Sequence, residues 1–235
     1  MIDEQDVAKL IVAAHNELHI AEAVLPDEYF YASLPLCVID SVFSINARYE
    51  GVRNVIARYC SYYDLPRYRE NRDGVPPQAD QQSIGDLIQK INALGPELFA
   101  GEILRNRQRT SARNGILKSE AVLRFAQALS SHSIECLQDV AHGINDETLR
   151  QEVLSIPGQR SGISLQYFFM LSGSDDLVKP DRMIHRYLER VLEKGITDED
   201  ALEVITRAVV VLWPRHAHLT ARLLDFQIWK HERDQ

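Results

Sequence analysis

Apolar residues recur along most of the chain with the spacing of an amphipathic α-helix. Near the N-terminus, Val7, Leu10, Ile11 and Ala14 follow an i, i+3, i+4, i+7 order that continues to about residue 21. The same period predicts further helices over roughly residues 34–47, 51–62, 83–94, 96–104, 118–129, 146–155, 162–171, 181–192, 198–212 and 218–230. No stretch alternates polar and apolar positions for long enough to form a strand, so the pattern predicts an all-α protein.

Composition narrows the class of protein. With 235 residues, 45% of them hydrophobic and 26% charged, the chain is long enough to bury a substantial core. No apolar run approaches the ~20 residues of a membrane span, and the acidic start MIDEQDVAKL predicts no secretory signal. Three widely spaced cysteines (Cys37, Cys60 and Cys136) favour reduced thiols in the cytoplasm. We therefore expect no membrane contact, metal site or cofactor.

The charge is unevenly distributed along the chain. A net charge of −8 argues against a protein that coats nucleic acid, because binding to phosphate depends on Lys and Arg. Residues 103–124, however, hold one acidic residue, Glu120, against a set of basic ones: Arg105, Arg107, Arg109, Arg113, Lys118 and Arg124. This pattern favours one basic face on an otherwise acidic body.

The most informative stretch is LRQEVLSIPGQRSGISLQYFFMLSGSDDLVKPDRMIHRYLERVL, residues 149–192. It predicts an amphipathic helix, a Pro-Gly turn, a second apolar helix, a polar loop and a helix that an aspartate opens. Such a turn presents backbone N–H groups at the start of the second helix, where the helix dipole favours a phosphate oxygen. Glycines leave room for a DNA backbone, and neighbouring side chains add donors; the predicted contacts are Gly158, Gln159, Arg160, Ser161 and Gly162.

IPGQRSGIS resembles the hairpin of the helix-hairpin-helix (HhH-GPD) superfamily of base-excision DNA glycosylases, and VKPDRMIHRYLER resembles the segment that supplies their catalytic aspartate. LPLCVIDSVFSINARYEGV is similar to the family's first core helix, and NGILKSEAVLRFAQAL to the segment before the hairpin. The resemblance spans about residues 34–192. It implies a two-lobed helical unit over 1–235, with one lobe at 34–140 and the other at 1–33 and 141–235.

The resemblance also implies roles for individual residues. Asp181 takes the catalytic position, where a carboxylate stabilises an oxocarbenium-like state and orients water. Asn46 lies where a side chain fills the gap left by a flipped nucleotide, and Lys118 lies in the segment that precedes the hairpin, so both are expected to contact DNA. Aromatic residues are expected in a base pocket, and the unassigned candidates are Tyr29, Phe30, Tyr31 and Trp213.

Departures from the family pattern limit the expected chemistry. Gly162 and Ile163 stand where bifunctional members carry a Schiff-base lysine, so the resemblance implies a monofunctional hydrolase without lyase activity. Arg160 replaces the second glycine of the hairpin. The four-cysteine loop is absent, so no iron–sulfur cluster is implied. The expected partner is double-stranded DNA, bound by a monomer, and the expected process is base-excision repair.

Three functions remain open from the sequence. The first is a monofunctional glycosylase, whose lesion the sequence does not identify. The second is a non-catalytic DNA-binding module that has kept the hairpin and lost the enzyme, in which Asp181 is only a helix N-cap. The third is a helical protein-interaction domain without a DNA partner. An Asp181→Asn substitution separates the first from the second, and DNA affinity at low salt separates both from the third.

Overall fold

The structure is a computed structural model that describes residues 1–72 and 74–235. Within that part of the chain every regular element is helical; the β-structure consists of two isolated bridges, Tyr31 with Tyr68 and Arg109 with Leu117. The α-helices are α1 (Glu4–Glu17), α2 (Leu34–Phe43), α3 (Tyr49–Tyr63), α4 (Ile84–Leu94), α5 (Pro96–Leu98), α6 (Lys118–Ser131), α7 (Val140–Gly143), α8 (Glu147–Ser155), α9 (Ile163–Ser172), α10 (Arg182–Leu192), α11 (Asp198–Leu212) and α12 (Ala221–Arg233). The predicted all-α class is confirmed.

The chain divides into two compact units. The hairpin unit comprises residues 27–172, and the terminal unit comprises residues 1–26 together with 173–235. The hairpin segment 147–172 therefore groups with residues 27–146, whereas Asp181 belongs to the terminal unit. The division predicted from the resemblance, 34–140 against 1–33 with 141–235, differs in where it places residues 27–33 and 141–172.

Two almost completely buried helices form the centre of the hairpin unit. All ten residues of α2 are buried, and α2 packs against both α6 and α9. α9 is buried on nearly every side, since only Ile163 and Gln166 reach the surface in part. A helix that is apolar all round is stable only inside a core, and this position accounts for the weak amphipathic pattern of α9. The hairpin turn therefore projects from a rigid base.

The terminal unit is a four-helix packing in which α1 contacts α10 and α11, and α12 contacts α10 and α11. Its core contains the stripe seen first in the sequence, with Val7, Leu10 and Ala14 facing Tyr187, Leu188 and Ile205. Each helix shows ordinary N-capping: Asp3, Asp181, Thr197 and Thr220 accept bonds from backbone N–H groups of the first turn.

Most predicted helix bounds are close to the observed ones, but four of them differ. The helix predicted at 34–47 already ends at Phe43. The first helix ends at Glu17 and a separate 3-10 turn covers Ile20–Glu22. The helix predicted at 96–104 is α5 followed by a π-helical turn at Phe99–Ile103. The last helix begins at Ala221 because Thr220 caps it, three residues after the predicted start at 218. Capping residues decide these boundaries, and periodicity alone does not locate them.

None of the helices in the described part of the chain has both the length and the apolar character that a membrane crossing requires. Cys37, Cys60 and Cys136 are all buried and free.

Candidate functional site

The hairpin turn joins α8 to α9 through two consecutive backbone turns. Gln159 N–H donates to the carbonyl of Ile156 at 2.9 Å, and Gly162 N–H donates to the carbonyl of Gln159 at 3.0 Å. Gly158 and Gly162 have φ angles of +90° and +76°, a region that L-residues rarely occupy. Asp146 starts the motif by capping α8, with its carboxylate accepting from Thr148 and Leu149 N–H.

Several backbone donors of the turn remain open. The N–H groups of Arg160, Ser161, Ser164 and Leu165 find no acceptor in the part of the chain that the structure describes, while Ile163 N–H reaches only the hydroxyl of Ser161 at 3.4 Å. These donors lie at the N-terminus of the ten-residue helix α9. Ser164 and Leu165 are buried, so the N–H groups that a ligand can reach are those of the exposed Arg160 and Ser161.

The five predicted contact residues of the turn divide by exposure. Gly158, Arg160 and Ser161 are exposed, whereas Gln159 and Gly162 are buried. Only 2% of Gln159 is exposed, so its side chain packs inside the motif, and a DNA contact through that side chain is not supported by its position. Arg160 has no carboxylate partner among the described residues.

Gly158 lies directly against Thr110 of the preceding loop. A Cβ atom on Gly158 would stand 2.3 Å from the Cβ of Thr110 and 2.7 Å from its Oγ1. The glycine is therefore needed for this contact. The sequence predicted that the space beside Gly158 would admit a DNA backbone, but Thr110 fills it. The contact joins the hairpin turn to residues 105–117, which we call the basic loop.

The basic loop is closed at its base by main-chain bonds. Thr110 N–H donates to Ile116 and Lys118 N–H donates to Gln108, both at 2.9 Å. Arg109 holds the tip by donating from Nη1 to the carbonyl of Gly115 at 2.7 Å. The side chains of the loop that carry positive charge are exposed: Arg105, Arg107, Arg109 and Arg113.

These exposed arginines lack counter-charges. Within residues 1–72 and 74–235, none of the four forms an ion pair with a carboxylate. Arg124, the remaining arginine of the basic stretch, pairs with Glu120 on α6. The structure thus brings unpaired arginines of the loop next to the turn that carries Arg160.

Three polar side-chain atoms around the turn are buried without a hydrogen-bond partner in the described part of the chain. They are Thr110 Oγ1, Gln159 Oε1 and Ser164 Oγ. Buried polar groups nearly always have a partner. These atoms of the turn, of the start of α9 and of the basic loop mark a place where the protein alone does not satisfy its polar groups.

Lys118 has a structural position that the sequence did not predict. It is 2% exposed, and its ammonium donates to the carbonyls of Phe43 and Ile45 at 2.9 and 2.7 Å, and to Gln108 Oε1 at 3.4 Å. Burial lowers the pKa of Lys118 to about 8. The ammonium caps the C-terminal end of α2, so a direct contact with phosphate is not supported by this position.

Asn46 follows α2 and is exposed, with a φ of 51°. Asn tolerates this left-handed conformation better than most residues, which explains its place in the tight connection to α3. It lines a cleft of about 480 Å³ together with residues of α3 and with Asn106 and Gln108 at the start of the basic loop. The hairpin, Lys118 and Asn46 are therefore all linked through residues 106–118.

Asp181 caps α10 in the terminal unit. A single carboxylate oxygen, Oδ1, accepts both N–H bonds, from Met183 at 2.8 Å and from Ile184 at 3.3 Å. The side chain is partly exposed. The other oxygen, Oδ2, accepts no hydrogen bond from the described residues.

A second carboxyl lies close to Asp181. Asp225 of α12 is 3% exposed and accepts the N–H of Lys179 at 2.9 Å. Burial and the nearby charge of Asp181 raise the pKa of Asp225 well above its usual range. Arg222, on the same helix, holds the segment before Lys179 through an ion pair with Asp175 at 2.7 Å.

The sequence analysis did not single out Asp225, Thr110 or Gln108. A charged residue inside ARLLDFQIW, where the other positions of that helix face are apolar, was the signal for Asp225. No local pattern marks Thr110, because its role arises only when the hairpin packs on the loop.

The aromatic candidates are placed apart from the turn. Tyr31 is buried and donates its hydroxyl to Asp40 Oδ2 at 2.6 Å, while Tyr29 packs edge-on against Tyr167. The ring of Phe30 lies under the guanidinium of Arg72. Trp213 is 59% exposed and belongs to the terminal unit. In the described residues, no group of three or more His, Cys, Asp or Glu side chains is arranged to hold a metal ion.

The chain matches, over residues 8–233, the family described as a domain of unknown function (DUF8548). It belongs to that family. No curated protein and no solved structure matches it.

Proposed function

We propose that the protein binds duplex DNA and that the hairpin turn and the basic loop form the contact. The observation that carries this proposal is the packing of Gly158 on Thr110, because it places the exposed Arg160 and Ser161, whose N–H groups lack an acceptor, beside unpaired arginines. The order of helix, turn, apolar helix and aspartate-capped helix supports the resemblance to helix-hairpin-helix DNA glycosylases.

The physics of the turn fits a phosphate oxygen. The N-terminus of α9 carries a partial positive charge, and its open N–H groups favour an anion. Arg160 and the basic loop add full charges that have no carboxylate partner among the described residues, which favours a chain of phosphates over a single anion. The acidic residues that give the chain its net charge of −8 lie mostly outside the basic loop and the turn, so they do not cancel the positive field there.

A titration of labelled 20-base-pair duplex, followed by fluorescence anisotropy over a range of salt concentrations, tests this proposal. We expect affinity to fall with salt, and Arg160→Glu to weaken binding about tenfold and to reduce the salt slope by about one. Arg215→Glu is the matched control, because Arg215 is exposed in the terminal unit and has no ion pair among the described residues. Negligible binding at low salt would favour a helical protein-interaction domain instead.

A second proposed function is hydrolysis of the N-glycosidic bond of a damaged or mismatched base, without lyase activity. The observation that favours it is the use of a single Asp181 oxygen for capping, which leaves Oδ2 to stabilise an oxocarbenium-like sugar and to orient water. No lysine stands in the turn between Ile156 and Ile163 to form a Schiff base.

Asp181→Asn tests this activity, because Asn also caps helices well and the fold should persist. We expect the variant to release no base from any duplex in a lesion panel, while its affinity for duplex matches that of the wild type. Base release at the wild-type rate would remove Asp181 from the mechanism. Binding without base release by the wild-type protein would favour a non-catalytic module.

A further inference from the structure

Amide side chains are the largest polar group among the ten residues that line the cleft beside Asn46. Four of its lining residues are Asn46, Asn54, Asn106 and Gln108, and the charged ones are Arg48 and Glu50. At about 480 Å³ its volume lies in the range of small-molecule sites in proteins. The lining carries both donors and acceptors, with one carboxylate against one guanidinium, so it does not select strongly for a charged ligand.

Internal hydrogen bonds orient two of these amides. Asn106 Oδ1 accepts the N–H of Gln108 at 2.9 Å, and Gln108 Oε1 accepts from the Lys118 ammonium at 3.4 Å. With their oxygens engaged, the NH₂ groups of both side chains remain as donors. The carboxylate of Glu50 is an acceptor on the same cleft.

We infer that this cleft binds one unpaired nucleobase of a DNA that is held on the hairpin unit. The inference rests on the proposed DNA binding. Amide side chains recognise base edges because they offer a donor and an acceptor at the spacing of those edges. A bare phosphate would meet the Glu50 carboxylate, whereas a neutral base can use both Glu50 and the amide donors.

The cleft is also within reach of the proposed DNA contact. Asn106 lies four residues before Thr110, which touches Gly158, and four residues of extended chain span at most about 14 Å. That length corresponds to about four base-pair steps of duplex. A DNA whose backbone lies on the turn could therefore place a base from the same site in the cleft.

Gly51 provides a way to close the cleft without disturbing the fold. It lies in the first turn of α3 and lines the cleft, and a Cβ added to it would meet no atom within 4 Å. Gly51→Trp should fill the cleft, whereas Gly51→Ala leaves most of it open and favours the helix. Asn54→Ala removes one amide from an exposed helical position, and Asn92→Ala, on α4 and outside the cleft, is its matched control.

The experiment compares the affinity of each protein for a fully paired duplex with its affinity for four duplexes that carry a one-nucleotide bulge of A, C, G or T. We expect the wild type to prefer at least one bulge by about tenfold, as one well-formed base contact allows. Gly51→Trp should abolish the preference and keep the affinity for paired duplex. Asn54→Ala should reduce the preference several-fold, and Gly51→Ala and Asn92→Ala should retain it.

The outcomes separate this inference from the proposed function. Binding to all duplexes without preference, or a preference that Gly51→Trp retains, overturns the nucleobase site and leaves DNA binding by the hairpin in place. Failure to bind any duplex overturns the proposed function itself. A thermal unfolding curve of Gly51→Trp that matches the wild type shows that the variant is folded and that its loss of preference is local.

Discussion

The two units of the protein use their arginines differently. In the terminal unit, most arginines pair with carboxylates: Arg186 with Glu232, Arg190 with Glu17, Arg207 with Glu4 and Glu203, Arg222 with Asp175 and Arg233 with Asp234. In the hairpin unit, the arginines of the basic loop and Arg160 have no such partner among the described residues. The protein as a whole is acidic, so the unpaired positive charge is a local property of the basic loop and Arg160.

The units also differ in how they bury single charges. Lys118 in the hairpin unit is buried with three oxygen acceptors, two of them main-chain carbonyls of the α2 end. Asp225 in the terminal unit is buried with a backbone N–H donor and a second carboxyl nearby. The contacts of Lys118 stabilise the end of α2, whereas the surroundings of Asp225 disfavour the ionised form of its carboxyl. In the hairpin unit, the buried charge therefore stabilises the scaffold beneath the surface. The unusual carboxyl chemistry lies in the terminal unit.

The largest expected effect comes from Gly158→Ala. The new Cβ meets Thr110 at 2.3 Å in a residue with φ +90°, so we expect a loss of about 3 kcal/mol in the free energy of unfolding. Gly162→Ala is the matched control: φ is +76° but its nearest neighbour stands at 3.6 Å, so only the backbone cost of about 1 kcal/mol applies. Urea unfolding measures both, and equal losses would mean that the hairpin does not depend on the Thr110 contact.

Lys118→Met should cost about 2 kcal/mol, because the carbonyls of Phe43 and Ile45 lose their donor in a buried place. Lys230→Met, at an exposed position, should change stability by less than about 0.5 kcal/mol.

The pH dependence of the stability of the wild type and of Lys118→Met tests the lowered pKa of Lys118. Folded Lys118 releases its proton at about pH 8 and the unfolded residue at about pH 10.4, so the unfolded state binds more protons between these values. The stability of the wild type relative to Lys118→Met should therefore rise from pH 8 to pH 10. A difference in stability between the two proteins that does not change with pH would contradict the lowered pKa of the buried Lys118 ammonium.

Asp225→Asn tests the buried carboxyl of the terminal unit. Its folded pKa lies above the unfolded value of about 3.9, so the native state binds more protons and its stability falls as pH rises through the folded pKa. Asn keeps the acceptor for Lys179 and does not titrate. At pH 8 we expect the variant to be more stable than the wild type, because it removes the cost of ionising a buried carboxyl.

Asp176→Asn, at an exposed position of the same segment, is the control for Asp225→Asn and should show no such gain. A wild type that is more stable than Asp225→Asn at pH 8 would mean that the Asp225 carboxylate is ionised and well paired.

The smallest expected effect concerns the entry to the hairpin. His132 Nδ1 lies 2.6 Å from Asp146, the cap of α8, and Nε2 lies 3.4 Å from Glu152. Partial burial disfavours the charged ring, but the hydrogen bonds with Asp146 and Glu152 outweigh it and raise the pKa of His132. The pair therefore stabilises the fold below about pH 6.5, and this contribution is lost as pH rises through the raised pKa.

We expect His132→Gln to lower Tm by about 2 °C at pH 6, and by less at pH 8.5. Differential scanning calorimetry at the two pH values measures this change, and His142→Gln, an exposed residue, is the control. A difference in Tm that grows with pH would reverse the assigned sign.

Periodicity and caps predicted most helices, because α6, α10 and α11 carry apolar stripes that only one face of a helix can bury. The turn glycines at 158 and 162 were also evident from the sequence. The burial of Lys118, however, depends on partners 10 to 75 positions away, and nothing near Lys118 in the sequence indicates it. The same holds for Thr110 and Asp225, whose roles arise from contacts between distant segments.

Hydrogen–deuterium exchange of the hairpin turn tests the central claim most directly. Arg160 and Ser161 are exposed, and their N–H groups have no acceptor among the described residues, so they should exchange quickly in the free protein. With saturating duplex DNA, we predict slower exchange in peptides that cover residues 158–165, and no change in peptides of α11. Unchanged exchange at the turn while DNA is bound would contradict the assignment of the hairpin as the DNA contact.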